Sequence, residues 1–321
     1  MAIVTKKTEK GGGSLLLKLA GLVVAIGCAA AFWTNDSAGA KQPFNPKDFW
    51  SVARATDTDK VWGPEKLAAC RSDISKCFDP SKAESIANPR CRVAGHFYGD
   101  IYNRWLEPFQ TTTEAFQLLE IGFYNGRGMD AFRTFLSPSA ELHSIEKSCS
   151  KEDWKGENFA AKNAHYSTML KDGHMHCGDA TDYDFLDAVW SKMKSSGAPL
   201  KVVVDDASHS SMDLATTLFY WFPKLAPGGV LILEDLEPRG PPDMFRLHTL
   251  PQLVKDIHYC GRPDFEENVC FPTIRPLLKS VHCGLHICVV ERNEEPAAYL
   301  DRAESKPPAH ALDKKSFCMF K

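Results

Sequence analysis

The chain has 321 residues, of which 44% are hydrophobic and 25% charged, and its formal net charge is −3. That length can bury one substantial core with a small accessory lobe, and the composition is that of a folded globular protein. The near-neutral charge, without a basic stripe interleaved with aromatic residues, argues against a nucleic-acid partner.

The N-terminus predicts a membrane anchor. Residues 1–13 form a lysine-containing leader. The predicted anchor, residues 14–33, is apolar from Leu15 to Trp33 except for Lys18. Lysines before an apolar run favour a cytoplasmic N-terminus, so we expect a single-pass type II signal anchor with the remainder in the ER or Golgi lumen. The alternatives are a signal peptide cleaved near residue 40, which predicts secretion, and a buried soluble helix. Both the anchor and the signal peptide place the remainder in the secretory pathway.

Ten cysteines follow the apolar run, which itself contains Cys28, and an even number in an oxidising compartment predicts several disulfides. They are Cys70, Cys77, Cys91, Cys149, Cys177, Cys260, Cys270, Cys283, Cys288 and Cys318. The local candidate pairs are Cys70 with Cys77 or Cys91, and Cys260 with Cys270. Buried free thiols are the other interpretation of Cys177 and Cys288, which lie in apolar runs. Zinc is disfavoured because no CxxC pair occurs.

Residues 34–90 are rich in Asn, Asp, Lys and Pro, and they predict a stalk followed by short helices in a cysteine-containing segment. Residues 91–321 form the main predicted domain. It begins with a helical stretch over 91–115, where apolar residues recur at three- and four-residue spacing.

The main domain predicts an α/β fold. Short apolar runs alternate with helical stretches, which is typical of a parallel sheet flanked by helices. The runs are Phe116–Ile121, Glu141–Glu146, His174–Cys177, Lys201–Asp205 and Gly229–Leu233. Two closing runs, Ser280–Cys283 and His286–Glu291, predict an antiparallel hairpin. Between the fifth run and this hairpin lies a proline-rich insert, 236–279, which is either a lid or substrate wall or a structural excursion.

A glycine-rich loop follows the first predicted strand and leads into a predicted helix, Met129–Leu136. Its sequence is Glu120-Ile-Gly122-Phe-Tyr-Asn125-Gly126-Arg-Gly128. Glycines let backbone approach a ligand closely, and a helix N-terminus offers free N–H groups. The glycine spacing departs from the G-x-G-x-x-G pattern of dinucleotide folds.

Acidic residues follow the next two strands. Glu146 is placed to accept ribose hydroxyl hydrogens, and Asp179 could contact an adenine amino group. A solvated strand end is the other interpretation of Glu146, and the loop by itself could be structural.

Two acidic pairs end the fourth and fifth predicted strands. They are Asp205-Asp206 and Glu234-Asp235, and His209 follows the first pair closely. Neighbouring parallel strands present their C-terminal ends to one crevice, where carboxylates repel each other unless a cation or a shared proton intervenes. A histidine beside them is a proton acceptor. The block predicts a hard-metal site with a general base. Helix capping by Asp205-Asp206 is the alternative, but it leaves the second pair unexplained.

These motifs together resemble the metal-dependent sugar O-methyltransferases of the macrocin and mycinamicin type. The resemblance covers residues 96–292. It depends on LLEIGFYNGRG, HSIEKSC, CGDATD, VVVDDASHSS, WFPKLAPGG and VLILEDLEP. It implies the class I methyltransferase fold, a Rossmann-like, doubly wound, mostly parallel sheet with a C-terminal antiparallel hairpin. Ala207 and Ala180 stand where the family usually has Gly and Gln.

The resemblance also implies roles for the site residues. Asp206, Glu234 and Asp235 would hold Mg²⁺, and His209 would be the catalytic base for a substrate hydroxyl. S-adenosylmethionine would be bound by the loop, by the acidic residues that follow it and by Asp205, which supports the site. The candidate cofactor-binding residues are Glu120, Gly122, Asn125, Gly126, Gly128, Glu146, Asp179 and Asp205.

The sequence therefore predicts an S-adenosylmethionine- and Mg²⁺-dependent O-methyltransferase acting on a hydroxyl of a sugar, glycan or glycosylated metabolite in the secretory pathway. A metal-dependent hydroxylase or hydrolase and a non-catalytic binding module are the alternatives. The expected partners are the hydroxyl acceptor and, through the N-terminal helix, a membrane. Homo-oligomerisation is left open.

Overall fold

A seven-stranded sheet organises the part of the chain that the computed structural model describes. That part comprises residues 47–61, 96, 98–147, 149, 158–236, 243–258 and 270–294. All of it lies within the unit Pro46–Lys321. The predicted leader, the apolar run, most of the 34–90 segment and Cys28, Cys70, Cys77, Cys91, Cys260 and Cys318 lie outside the described residues. Among the helices described, none has the length and apolar character needed to cross a membrane.

The strands confirm the predicted fold class. They are β1 Phe116–Ile121, β2 Ala140–Glu146, β3 Met175–Cys177, β4 Leu200–Asp205, β5 Val230–Leu233, β6 Leu278–Gly284 and β7 Ile287–Arg292. Their order is β3-β2-β1-β4-β5-β7-β6. Strands β1 to β5 pair in parallel, and β7 runs antiparallel to both β5 and β6. Because the chain winds outward from β1 in one direction and from β4 in the other, a ligand crevice is expected where β1 and β4 meet.

Helices cover both faces of the sheet. They are α1 Phe49–Thr56, α2 Gly99–Leu106, α3 Arg127–Phe135, α4 Tyr166–Asp172, α5 Tyr183–Lys194, α6 Ser211–Trp221 and α7 Leu250–His258. The predicted helix 91–115 is too long, because α2 passes into a 3₁₀ turn at Glu107–Phe109 and no helix continues to residue 115. The insert 236–279 contains a π-helical turn, Phe245–Thr249, then α7 and a 3₁₀ turn, Arg275–Leu277.

Two hydrophobic clusters hold the layers together, one on each face. Strand residues alternate between them: Leu118, Val202 and Ile232 pack with α1, α2 and α3. Leu119, Val203 and Leu231 pack with α5 and α6. All six residues of β1 are buried, as expected of a central parallel strand covered on both faces. This packing fixes the strand ends, and with them the side chains that follow.

Disulfides join two pairs of the described cysteines, Cys149 with Cys177 and Cys283 with Cys288. The free-thiol interpretation of Cys177 and Cys288 is therefore wrong. Cys283 and Cys288 lie directly opposite each other on β6 and β7, so the hairpin register brings them together. Cys270 is also disulfide-bonded, while its predicted partner lies outside the described residues.

Candidate functional site

A cavity of about 360 Å³ lies at the carboxyl ends of β1, β2 and β4. Its volume falls within the range of small-molecule sites. Most predicted site residues line it: Glu120, Gly122, Asn125, Gly128, Glu146, Asp179, Asp205, Asp206, His209 and Asp235. Gly126 and Glu234 are absent from the lining. We call the part formed by Gly122, Glu146 and Asp179 the loop side, and the part formed by Asp206, His209 and Asp235 the acidic side.

On the loop side, Gly122 allows a close backbone approach. Its φ is +97°, and a Cβ there would lie 2.3 Å from the carbonyl oxygen of Asp206. Gly126, with φ +75°, is the N-cap of α3. The Asn125 Oδ1 accepts a hydrogen bond from the Arg127 N–H at 3.0 Å, which closes the turn into the helix. The loop is thus folded tightly against the first residues after β4.

Glu146 fastens this loop to the end of β2. One of its carboxylate oxygens, Oε2, accepts hydrogen bonds from the backbone N–H groups of Phe123 at 3.0 Å and Tyr124 at 2.8 Å. Asp179 accepts from Lys147 Nζ at 2.6 Å and from the Thr181 N–H at 2.9 Å. The hydrogen bond from Lys147 is the main cause that lowers the pKa of Asp179 to about 2. Both carboxylates therefore have protein partners while they line the cavity.

On the acidic side, Asp206, His209 and Asp235 offer ligand atoms that all lie within 4.8 Å of one another. The Nε2 of His209 is 4.0 Å from Asp206 Oδ1 and 3.7 Å from Asp235 Oδ2. His209 Nδ1 is buried and has no hydrogen-bond partner among the described residues. His209 and Asp235 adopt left-handed backbone conformations, with φ of 58° and 51°. Non-glycine residues in that region cost free energy, and such strain concentrates at functional sites.

The helix after β4 is capped by Ser210, whose side chain accepts from the Asp213 N–H. The interpretation of Asp205-Asp206 as the helix cap is therefore wrong. Asp205 is buried at the end of β4, and its Oδ1 accepts from the Ala207 N–H at 3.2 Å. It supports the turn that carries Asp206 and His209.

Lys60, from the segment before the sheet, reaches the base of the acidic side. Its Nζ lies 2.9 Å from Asp206 Oδ2, 2.8 Å from Glu234 Oε1 and 3.2 Å from Glu120 Oε1. The Lys60 side chain is 1% exposed. Gly128 makes room for it, because a Cβ there would lie 2.5 Å from Glu120 Oε1 and 2.7 Å from Lys60 Cε. One ammonium thus joins carboxylates from the ends of β1, β4 and β5.

Two tyrosines near the start of α2 complete this network. Tyr98 OH donates to Asp235 Oδ1 at 2.7 Å, and Tyr102 OH donates to Glu234 Oε1. His96 stacks on Tyr98, with its Nε2 3.1 Å from Asp235 Oδ1. Each phenol accordingly holds one member of the Glu234-Asp235 pair.

Burial and mutual repulsion decide the charges here. Burial alone lowers the pKa of Lys60, but the Asp206 and Glu234 carboxylates outweigh it and hold that pKa well above its usual range. Burial raises the pKa of Glu120 to about 7, although the Lys60 ammonium opposes the rise. Burial, then repulsion from Asp206, raises the pKa of Glu234. Burial also raises the pKa of Asp206, although the Lys60 ammonium opposes the rise. One ammonium thus does not return these carboxyl pKa values to their usual range.

The structure therefore brings Asp206, His209 and Asp235 together beside the predicted cofactor loop. It does not bring Glu234 into the cavity, because its carboxylate is turned to Lys60 and Tyr102. Sequence reasoning missed Lys60, Tyr98 and Tyr102. A lone lysine in TDTDKVW carries no motif, and both tyrosines fall in the predicted helical stretch 91–115, where their spacing is that of apolar helix residues.

Comparison with protein families finds no family model that matches. Two curated proteins match short segments. Residues of this chain are 31% identical over 103 residues to the 8-demethyl-8-alpha-L-rhamnosyl tetracenomycin-C 2'-O-methyltransferase of Streptomyces olivaceus, covering 29% of this chain and 27% of that protein. They are 34% identical over 59 residues to the Mycinamicin VI 2''-O-methyltransferase of Micromonospora griseorubida, covering 18% and 14%. The chain thus matches about a quarter or less of the length of these curated relatives.

Among solved structures, the chain is similar to the MycE methyltransferase from the mycinamycin biosynthetic pathway. The crystal form 1 complex with Mg and SAH gives a TM-score of 0.51 at 16% identity, covering 78% of this chain and 55% of that one. Crystal form 2 gives 0.52 at 15% identity, covering 90% and 66%. This similarity, with the strand order, shows the class I methyltransferase fold. The chain resembles the mycinamicin-type sugar O-methyltransferases.

Proposed function

We propose that the protein is an S-adenosylmethionine- and Mg²⁺-dependent O-methyltransferase whose acceptor is a hydroxyl of a sugar or glycosylated molecule. One observation carries the proposal: Asp206, His209 and Asp235 converge within 4.8 Å on the same cavity that the glycine loop opens. Both curated relatives are named as O-methyltransferases, and one MycE structure contains Mg, SAH and Mycinamycin VI.

The loop side fits a methyl donor of this kind. Gly122 lines the cavity at the end of β1, and a helix N-terminus follows at Gly126. Glu146, at the end of the neighbouring strand, is where an acidic side chain meets a ribose in related nucleotide folds. The sulfonium of S-adenosylmethionine is a cation, and the lining carboxylates of Glu120, Asp205 and Asp206 give the cavity the opposite sign.

The acidic side fits a divalent cation. Asp206 Oδ1 and Asp235 Oδ2 both face His209, and carboxylate oxygens are the ligands that Mg²⁺ prefers. When bound, Mg²⁺ would polarise the acceptor hydroxyl as a Lewis acid. A cation at this point would also relieve the repulsion between the two carboxylates.

His209 is placed to accept the hydroxyl proton. Its ring lies between Asp206 and Asp235, with Nε2 4.0 Å from Asp206 Oδ1 and 3.7 Å from Asp235 Oδ2. The positive φ of His209 directs the side chain into the cavity from the turn after β4. The protein otherwise supplies orientation, holding the hydroxyl oxygen in line with the methyl group.

The cellular context is part of the proposal. The apolar run 14–33 after a lysine-containing leader supports a type II anchor that places the domain in the ER or Golgi lumen. Disulfides at Cys149, Cys177, Cys283 and Cys288 agree with an oxidising compartment. Protease treatment of intact microsomes tests it: the domain should be protected until detergent is added. Digestion without detergent would contradict a lumenal location.

The experiment that tests the activity is calorimetric titration of the full chain with S-adenosylmethionine, with and without MgCl₂. We expect saturable binding, then methyl transfer from labelled donor to a glycoside panel that stops when EDTA is added. Asp235→Asn is the matched control, which should bind the donor but transfer no methyl. Metal binding without donor binding would contradict the proposal and favour a metal-dependent hydrolase or hydroxylase.

A further inference from the structure

The buried ammonium of Lys60 contacts the carboxylates of Glu120, Asp206 and Glu234. The family resemblance assigns two of these, Asp206 and Glu234, to the metal. We propose that Lys60 removes Glu234 from the metal-ligand set, so that Asp206 and Asp235 are the two carboxylates that hold the divalent ion. This inference rests on the proposed function, since it concerns the donor set of the same site.

One carboxylate oxygen of Glu234 already has two partners within the protein. Its Oε1 receives Lys60 Nζ at 2.8 Å and the hydroxyl of Tyr102, and its side chain is 1% exposed. It does not line the cavity, whereas Asp235 does. Withdrawing it to bind a metal would leave both the buried ammonium and the phenol without this acceptor. The ammonium would then keep only Glu120 and Asp206 as ionic partners.

The two carboxylate oxygens of Asp206 have different surroundings. Its Oδ2 bonds to Lys60 at 2.9 Å, while its Oδ1 lies on the cavity side, 4.0 Å from His209. The two oxygens of Asp235 differ in the same manner: Oδ1 accepts a hydrogen bond from Tyr98 at 2.7 Å, and Oδ2 faces His209 at 3.7 Å. Each aspartate thus keeps one oxygen for the protein and turns the other to the cavity. Both contacts of Glu234 fall on Oε1, and Glu234 is absent from the cavity lining.

Lys60 is held where it is by more than charge. Its ammonium also lies 5.4 Å from the ring centre of Phe132 and 5.9 Å from that of Tyr102, which are distances of cation–π contact. A glycine at position 128 leaves the space that its Cε needs beside Glu120. The Lys60 side chain is therefore enclosed by residues of α2 and α3 and by the residues at three strand ends.

A structural role alone and the proposed role predict opposite effects on metal affinity. If Lys60 merely stabilised the fold, its loss would loosen the site and weaken metal binding. If Lys60 competes for the carboxylates, its loss exposes Glu234 and removes a positive charge near the metal, so affinity rises. Because like charges close together repel each other, we expect at least a tenfold gain in metal affinity.

The first experiment compares neighbouring acids, using MnCl₂ and MgCl₂ as calorimetric probes of the full chain without donor or acceptor. Glu234→Gln keeps an acceptor for Lys60 and Tyr102, and we expect its metal affinity to stay within about fivefold of wild type. Asp235→Asn should lose about fiftyfold or more, as expected for a direct ligand. Equal losses in the two variants would overturn the inference.

The second experiment removes the ammonium. Lys60→Met should bind Mn²⁺ at least tenfold more tightly than wild type, and the metal should raise its unfolding temperature more. Lys60→Arg keeps the charge and should show no gain. Lys224→Met, which removes a half-buried lysine beside Tyr220, controls for loss of a lysine elsewhere. Unchanged or weaker binding in folded Lys60→Met would overturn the inference.

If Lys60→Met does not fold, the comparison of Glu234→Gln with Asp235→Asn still decides. Metal binding by Lys60→Met but not by wild type would support the inference in its strongest form. No binding in either protein would overturn it, together with the Mg²⁺ dependence proposed above. If wild type binds metal and donor but Glu234→Gln loses the metal, the inference alone fails and the proposed function stands.

Discussion

The two sides of the cavity are assembled in different ways. On the loop side, Gly122, Glu146 and Asp179 follow three strands at the same end of the sheet, and Glu146 holds the loop through backbone N–H groups. On the acidic side, the carboxylates after β4 and β5 are joined by Lys60, which is 146 residues from Asp206 and 174 from Glu234. The loop side is held by contacts between nearby segments of the sequence, whereas the acidic side is held by ion pairs between residues far apart in the sequence.

This difference separates binding from chemistry. The loop side presents backbone groups and the carboxylates of Glu146 and Asp179 to the cavity, and its shape depends on a few short contacts. The acidic side places a histidine between two aspartates and sets an internal ammonium among the neighbouring acids. Substitutions on the two sides should therefore give different kinetic signatures.

The largest effect is expected from His209→Ala. Loss of a general base lowers the rate by about 10²–10⁴, so single-turnover methyl transfer should fall by that factor. Donor affinity, measured by calorimetry, should stay within about twofold, since no contact of the loop side is removed. His165→Ala, on an exposed histidine of the same fold, is the control and should keep full activity. A parallel fall in donor affinity would show that the two sides are not separable.

A smaller effect, on binding rather than rate, is expected from Gly122→Ala. The new Cβ would lie 2.3 Å from the Asp206 carbonyl oxygen, a backbone atom that cannot move without shifting the turn. Alanine at a φ of +97° is strained as well. We expect donor affinity to fall by about tenfold to a hundredfold, which corresponds to about 1.4–2.8 kcal/mol.

Gly228→Ala separates strain from crowding in that experiment. Gly228 has a similar φ of +71°, but the nearest atom to its added Cβ is 3.7 Å away. It should lose some stability and no donor affinity. Because the obstructed atom belongs to Asp206, Gly122→Ala should also weaken Mn²⁺ binding. If it lowers donor affinity alone, the two sides are more independent than the contact between them suggests.

The sheet and the loop side could be predicted because their signals are local. The parallel strands are short buried apolar runs, and each predicted run overlaps an observed strand. The acidic pairs could be located but not oriented. Glu234 and Asp235 follow β5, and the left-handed backbone of Asp235 breaks the alternation of side chains that a strand would impose. The sequence does not show that conformation, so it does not show which of the two acids faces the cavity.

Lys60 could not be predicted by the same means. It lies outside the sheet, between α1 and the residues that precede α2, and its partners come from three separate strand ends. The phenols of Tyr98 and Tyr102 likewise meet carboxylates 137 and 132 residues away. Such contacts depend on tertiary packing, which a single sequence does not display.

The smallest effect is expected from the disulfide between Cys149 and Cys177. Cys149 lies three positions after Glu146, and Cys177 lies two positions before Asp179. The bond therefore links the two strand ends that carry the loop-side acids. Replacing both by serine should lower donor affinity only on the order of threefold, through lost preorganisation. The loss is small because β2 and β3 still pair, and the Gly178 N–H still donates to the Glu146 carbonyl at 3.1 Å.

The control is the double serine variant of Cys283 and Cys288 on the edge hairpin, which should leave donor affinity unchanged. Metal affinity should be unchanged in both variants, because neither bond contacts Asp206, His209 or Asp235. A loss of metal affinity on breaking the first disulfide would mean that the acidic side depends on the loop side for its geometry.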